Sequence, residues 1–242
     1  MTCLVLRLAG PLQAWGASSR FTHRTTQAEP TKSGVIGLLA AALGRRRTDP
    51  IEDLLGLGFG VRIDQPGRLV RDFQTAHQLD GPKAMPLTYR YYLADAVFLA
   101  VVAGERPLVE HLSEALQHPA FPLYLGRRSC PPAGPLMPAL REGELIDVLR
   151  GEPWQASAWW QRRTRSPVVQ LDIAVDSTWV PAGAVRASSS EQTVRDVPVS
   201  FDPEWRQYGW RRVHRDQVEI SNPLGRATPA GEHDPYALLG GL

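Results

Sequence analysis

The sequence predicts an α+β fold, and three observations carry that prediction. Apolar residues in short β-rich runs mark strands at Cys3–Leu8 and Phe59–Ile63; a period near 3.6 marks helices after Pro30 and Glu105; and the second half leans towards strand, with Val169, Leu171, Ile173 and Val175 alternating with Gln170, Asp172 and Ala174. The 242 residues are 43% hydrophobic and 21% charged, which suffices for a real core and excludes disordered, coiled-coil and collagen-like classes. Gly and Pro contribute 21 residues each, above average usage but short of low complexity, so many loops on a folded scaffold are expected.

The first strand stops at Gly10-Pro11, and a polar stretch runs from Gln13 to Glu29. Pro30-Thr31 then opens an amphipathic helix whose buried stripe is Val35, Leu38, Leu39 and Ala42, and Gly44 ends it. Gly34 and Gly37 weaken that helix by about 1 kcal/mol each relative to Ala, so something should pack close to its backbone. Asp49 is expected to cap a second, short helix with Pro50 at its first position. After the strand at Phe59–Ile63, Gln65-Pro66-Gly67 turns the chain, Leu69 to Thr75 is extended, and His77 to Tyr89 reads as an exposed hairpin-type excursion. Tyr91 to Ala103 returns as one apolar strand, Glu105 to His118 forms a second helix with Leu108, Leu112, Ala115 and Leu116 on one face, and Phe121 to Leu125 is a further strand.

Without the excursion, the order is strand, helix, strand, strand, helix, strand, the ferredoxin-like order that RNA-recognition modules also use. A boundary is expected near Gly143, giving a ferredoxin-like domain over residues 1–142, a β-rich region over 143–221 and an irregular tail over 222–242.

The longest apolar run, Ala96 to Ala103, is far short of the roughly 18 to 20 residues that span a bilayer, and Arg7 interrupts the N-terminus before a signal-like segment develops. A cytoplasmic protein with no membrane partner is expected. Cys3 and Cys130 have neither metal-site spacing nor the density of a disulfide scaffold, and phosphate-loop, dinucleotide and nucleophile-elbow motifs are missing, so no metal or cofactor is expected.

Net charge is only +2, yet of the 27 basic residues just Lys32 and Lys83 are lysines. Arginine suits bidentate phosphate contact and base stacking, although GC-rich coding gives the same bias. Short bursts at Arg45, Arg46 and Arg47, at Arg127 and Arg128, at Arg162, Arg163 and Arg165, and at Arg211, Arg212 and Arg215 suit either a nucleic-acid partner or a solvated surface. Thr31-Lys32-Ser33 sits at a helix N-terminus, where free N–H groups favour an anion or serve only as a capped end. His23 lies between Arg20 and Arg24; with Lys32 and Tyr91 it offers acid–base groups for metal-independent RNA cleavage, or else a surface role.

These residues carry a resemblance. Gly10-Pro11-Leu12-Gln13-Ala14-Trp15-Gly16, Ser19-Arg20-Phe21, Arg24-Thr25-Thr26 and Pro30 through Leu39 resemble the N-terminal signature of the type I-E branch of the Cas-five family of CRISPR-associated proteins. The likeness continues through Phe59 to Asp64, Asp72 to Thr75, Tyr91 to Ala96 and Leu125 to Pro131. It implies a RAMP-type ferredoxin-like core, a β-hairpin thumb inserted at about residues 68–90 and a noncatalytic subunit of Cascade. The implied partners are the repeat-derived 5′ handle of the guide RNA (crRNA), the backbone and large subunits, and target DNA only indirectly. The residues then expected to meet RNA are Gln13, Trp15, Arg20, Arg24, Thr31, Lys32, Ser33, Arg45, Arg46, Arg90, Arg127 and Arg128. The alternative that the resemblance also implies, from type I-C relatives, is an endoribonuclease using His23, Lys32 and Tyr91.

Overall fold

A computed structural model describes residues 1–16, 22–78, 81 and 84–226. In chain order the strands are β1 (Thr2–Ala9), β2 (Leu12–Gln13), β3 (His23–Arg24), β4 (Gly58–Gln65), β5 (Arg68–Gln74), β6 (Thr88–Ala94), β7 (Val97–Gly104), β8 (Ala139–Glu142), β9 (Val168–Asp176), β10 (Ser190–Ser200) and β11 (Gln207–Ser221). The helices are α1 (Lys32–Ala42), α2 (Glu52–Leu55), α3 (Arg106–Gln117), α4 (Leu145–Gly151) and α5 (Ala158–Arg163).

Two sheets result. The larger has the order β10-β11-β9-β4-β7-β1-β8, with every pairing antiparallel. Period-2 alternation sends β1 residues Leu4, Leu6 and Leu8 to one face, where they meet α1 and α3, and Cys3 and Val5 to the other, where they meet α4. Both faces are therefore covered, which explains why β7 reads as an unbroken apolar run. The smaller sheet is built on β6, flanked by β5 on one side and by β2 and β3 on the other.

Several expectations are corrected. The single strand expected over Tyr91 to Ala103 is two, because Asp95 takes a left-handed φ of 55° and passes the chain from the small sheet to the large one. Phe121 to Leu125 is not a strand: Pro122 has no N–H to give a ladder, and Phe121 N–H instead donates to Ala41 O at the end of α1. The strand that pairs with β1 is β8. Asp49 does not cap α2, whose N-cap is Ile51; its carboxylate accepts from Arg46 N–H at 2.6 Å and closes a turn. Finally, α1 is buried nearly all round rather than on one stripe, because β10 crosses it. Gly34 is required there, since a Cβ would lie 2.7 Å from the Trp15 ring. The boundary expected near Gly143 falls between β8 and α4, and β9 to β11 beyond it extend the same sheet.

Candidate nucleic-acid interface

The small sheet presents the chemistry that suits RNA. Its register places Phe73 opposite Tyr89, Arg71 opposite Tyr91 and, on the far side of β6, His23 opposite Tyr89. Cross-strand partners share a face, so these five side chains stand together. The His23 ring stacks on Tyr89 with centroids 5.4 Å apart and planes 25° from parallel, and the Arg71 guanidinium lies 5.4 Å from the Tyr89 centroid. Phe73 is 68% exposed and Leu69, four residues earlier on the same face, 65%. On the opposite face β3 sets Arg24 beside Arg90, with Asp72 across from Arg90. Two like charges side by side are destabilising without an anion, and Arg90 Nε is buried with no hydrogen-bond partner among the described residues. Aromatic faces interleaved with guanidinium groups are what stacking and backbone contact to single-stranded RNA require.

The expected N-terminal surface lies inside instead. Lys32 Nζ donates to Asp176 Oδ2 at 2.8 Å and to Leu57 O at 2.7 Å, and its side chain is buried. The free N–H at the start of α1 already has an anion: Lys32 N–H donates to Asp196 Oδ2 at 2.8 Å. Arg211 completes the group by bonding both carboxylates, at 2.7 Å to Asp176 and 2.6 Å to Asp196. Burial works against the Arg211 charge, yet the two carboxylates outweigh it and raise its pKa above the ordinary value. Thr31 caps α1 by accepting from Gly34 N–H, and the Ser33 hydroxyl lies 3.4 Å from that of Thr31. Trp15 is fully buried and donates from Nε1 to Gln13 Oε1, while the Gln13 amide donates to Leu8 O and Ala96 O. The placement of Gln13, Trp15, Thr31, Lys32 and Ser33 on an RNA surface is thus corrected: all five are buried, and their side-chain polar atoms bond to groups of the protein itself.

The other expected residues divide. Arg127 follows Gly126, whose φ of 85° and whose absent Cβ, which would sit 1.9 Å from Ala14 O, let the loop press against Ala14. Its guanidinium is spent internally, donating to Tyr91 O, Arg24 O and Thr25 O and lying 4.8 Å from the Tyr92 ring centroid. Arg127 therefore fastens β3 to β6 and is no free phosphate ligand. Arg128 is exposed. Arg45 forms a two-pronged pair with Asp53, Arg46 is exposed, and Arg20 lies outside the described residues. The trio His23, Lys32 and Tyr91 is not brought together, since Lys32 is held in the ion network under β10 while the other two stand on the small sheet. Arg71, Phe73 and Tyr89 were not among the expected residues. Their signal was the alternation of basic and aromatic residues in Arg68 to Gln74 and Thr88 to Tyr92.

Comparison with known proteins accords with this geometry. The family described as CRISPR-associated protein (Cas_Cas5) matches residues 3–214. CRISPR system Cascade subunit CasD of Escherichia coli strain K12 is 38% identical over 154 residues, which span 55% of this chain and 68% of the relative. A crystal structure of a Cas protein superposes with a TM-score of 0.65 at 35% identity, covering 94% of this chain and 99% of the other. A chain from a CRISPR RNA-guided surveillance complex superposes with a TM-score of 0.71 at 30% identity, with 98% of each chain covered.

Proposed function

The chain belongs to the CRISPR-associated Cas5 family, and from that membership we propose that it is a noncatalytic, guide-RNA-binding subunit of a Cascade-type surveillance complex. The repeat-derived 5′ handle of the guide is its ligand, and the backbone and large subunits are its neighbours. The observation that carries this reading is the Tyr89 ring set between His23 and Arg71 on an open sheet face, with Phe73 exposed beside it. In this proposal splayed handle bases stack on that face, Arg24, Arg90, Arg46 and Arg128 meet phosphates, and Arg127 positions the strand β3 that carries Arg24. Sequence discrimination of the target is left to guide–target pairing.

The core, in this reading, is ferredoxin-like: β1, α1, β4, β7, α3 and β8 follow one another along the chain, and the strands lie in the order β4-β7-β1-β8 with α1 and α3 packed on one face. Residues 1–142 form the RNA-binding unit, the hairpin of β5 and β6, which overlaps residues 68–90 and runs on to Ala94, is its inserted thumb, and residues 143–221 extend its sheet; most of the tail expected over 222–242 lies outside the described residues. No helix among the described residues is long and apolar enough to cross a membrane, and a cytoplasmic location accords with the guide-RNA partner.

The test combines retention and cleavage. Purified protein incubated with labelled repeat RNA, without metal, should retain the RNA and leave it intact. Acid–base cleavage needs two groups within reach of the 2′-OH and the leaving oxygen, and Lys32 is withdrawn from that role by Asp176. A clean cut by the wild-type chain that disappears in His23→Ala would overturn the assignment in favour of an endoribonuclease.

A further inference from the structure

Among the described residues, Arg45, Arg62, Arg106, Arg141, Arg150 and Arg211 are among the arginines answered by acids. One locality gathers four arginines without such a partner among the described residues. Arg162 and Arg163 end α5, Arg165 follows two residues later, and Arg226 is joined to the same segment by its N–H to Arg165 O at 3.0 Å. All four side chains are exposed, and no carboxylate among the described residues lies within ion-pair distance of any of them. Trp159, on the same short helix, is 45% exposed and meets Trp160 edge to face at 5.4 Å. The helix dipole favours Arg162 and Arg163 in the last turn, but Arg165 and Arg226 lie outside the helix and gain nothing from it.

The segment is also held rigidly. Asn222 is buried, and its Nδ2 reaches the carbonyls of Gln161, Thr164 and Ser166 at 3.0, 2.6 and 3.0 Å, which fixes the backbone between the arginines. The buried Gln161 amide donates to Trp154 O and Ala156 O, and Gln65 Oε1 accepts from Ser157 N–H and Oγ while its amide donates to Asp95 O at the base of the small sheet. The start of the platform's helix and the Asp95 end of the small sheet are therefore both tied to Gln65 at one end of β4. A group of guanidinium side chains without ion-pair partners among the described residues, on a fixed backbone beside an exposed indole, complements a polyanion that also offers aromatic faces.

We infer that Arg162, Arg163, Arg165, Arg226 and Trp159 form a second RNA-binding platform that takes the sugar–phosphate backbone of a single strand, separate from the handle-stacking face of the small sheet. The inference extends the RNA-binding reading to a site of its own, and the two are separated by parallel variants. Binding of the full chain to a labelled single-stranded guide RNA is measured against salt for wild type, for Arg162→Ala/Arg163→Ala/Arg165→Ala, for the same three positions changed to Lys, and for Tyr89→Ala/Arg71→Ala. Single strands give a slope of about 0.7 per neutralised phosphate, so the triple alanine variant should lower the slope by about 2 and weaken binding about tenfold or more at physiological salt, while the lysine variant keeps the slope. Trp159→Ala should weaken binding with the slope unchanged. An unchanged slope in the folded triple alanine variant overturns the inference, and if Tyr89→Ala/Arg71→Ala still loses binding the handle-stacking reading stands alone. The reverse pattern leaves the platform and removes the handle-stacking face; a wild-type chain that retains no RNA removes both. If RNA binding is unchanged but the triple variant no longer assembles with its neighbouring subunits, the platform is a protein-docking surface and the inference fails.

Discussion

The N-terminus of α1 and the small sheet both bring basic and aromatic residues together, and they use them in opposite ways. At α1, Lys32 and Arg211 face inward onto Asp176 and Asp196, and Trp15 closes the core against Gly34. On the small sheet, Arg71 lies over Tyr89 with no carboxylate within ion-pair distance among the described residues, and Phe73 stands in solvent. Residue type does not separate the two. What separates them is whether a later strand delivers a carboxylate: β9 and β10 bring Asp176 and Asp196 under α1, whereas β5 is paired on one side only. Charge in the first region holds the fold together, and the Arg71 charge in the second meets an aromatic ring in place of a carboxylate.

The comparison breaks most visibly at Asp176. Asp176→Ala leaves Lys32 and Phe59 N–H without their carboxylate and takes one of two from Arg211, and removing one partner of a buried ion group typically costs about 3 to 5 kcal/mol. Urea unfolding should show a loss of that size or no folded protein. Lys32→Met should cost less, since Arg211 keeps both carboxylates. Trp15→Ala belongs to the same class: a fully buried indole gives up about 3 to 5 kcal/mol, and its loss should lower the melting temperature before any RNA is added.

Tyr89→Ala sharpens the other side. Stacking of a base on an aromatic ring is worth about 1 to 3 kcal/mol, so handle affinity should fall roughly tenfold or more while the melting temperature stays near wild type, because this ring is only half-buried. Equal losses of stability and affinity would place Tyr89 with Trp15 as a core residue and erase the distinction between the regions.

Much of the scaffold is legible in the sequence because periodicity reports burial directly. The β9 pattern Val169, Leu171, Ile173, Val175 is buried as its alternation demands, and the start and end of α1 follow from Thr31 and Gly44. What periodicity cannot report is a partner far along the chain. Nothing near Lys32 reveals that Asp176 and Asp196, more than 140 residues away, will neutralise it. The β6–β7 switch at Asp95 was hidden for a related reason: an apolar run continues across it, and only the left-handed backbone of one residue marks the change of sheet. Phe73 and Tyr89 were readable as residue types but not as a site, because their register across β5 and β6 is a tertiary fact.

The smallest effect tests the comparison at its margin, in the burst Arg45-Arg46. Arg45 is paired with Asp53 and Arg46 is exposed, so the two neighbours repeat the contrast between occupied and free charge on a small scale. Arg46→Ala should reduce the salt slope of handle binding by about 0.7, one phosphate on a single strand, and Arg45→Ala should change it less. The Arg45 hydrogen bonds hold the Asp53 carboxyl below its usual range despite the opposing effect of partial burial. A carboxylate with a depressed folded pKa stabilises the fold above its unfolded value of about 3.9 and loses that contribution as pH falls through the folded value. Arg45→Ala should therefore return the Asp53 titration, followed by NMR, to the ordinary range and remove well under about 1 kcal/mol of stability at neutral pH, since the pair is largely solvated. That stability difference should vanish in acid. A slope change in Arg45→Ala as large as in Arg46→Ala would mean that RNA takes Arg45 away from Asp53, and that a surface ion pair in this protein does not mark a charge as occupied.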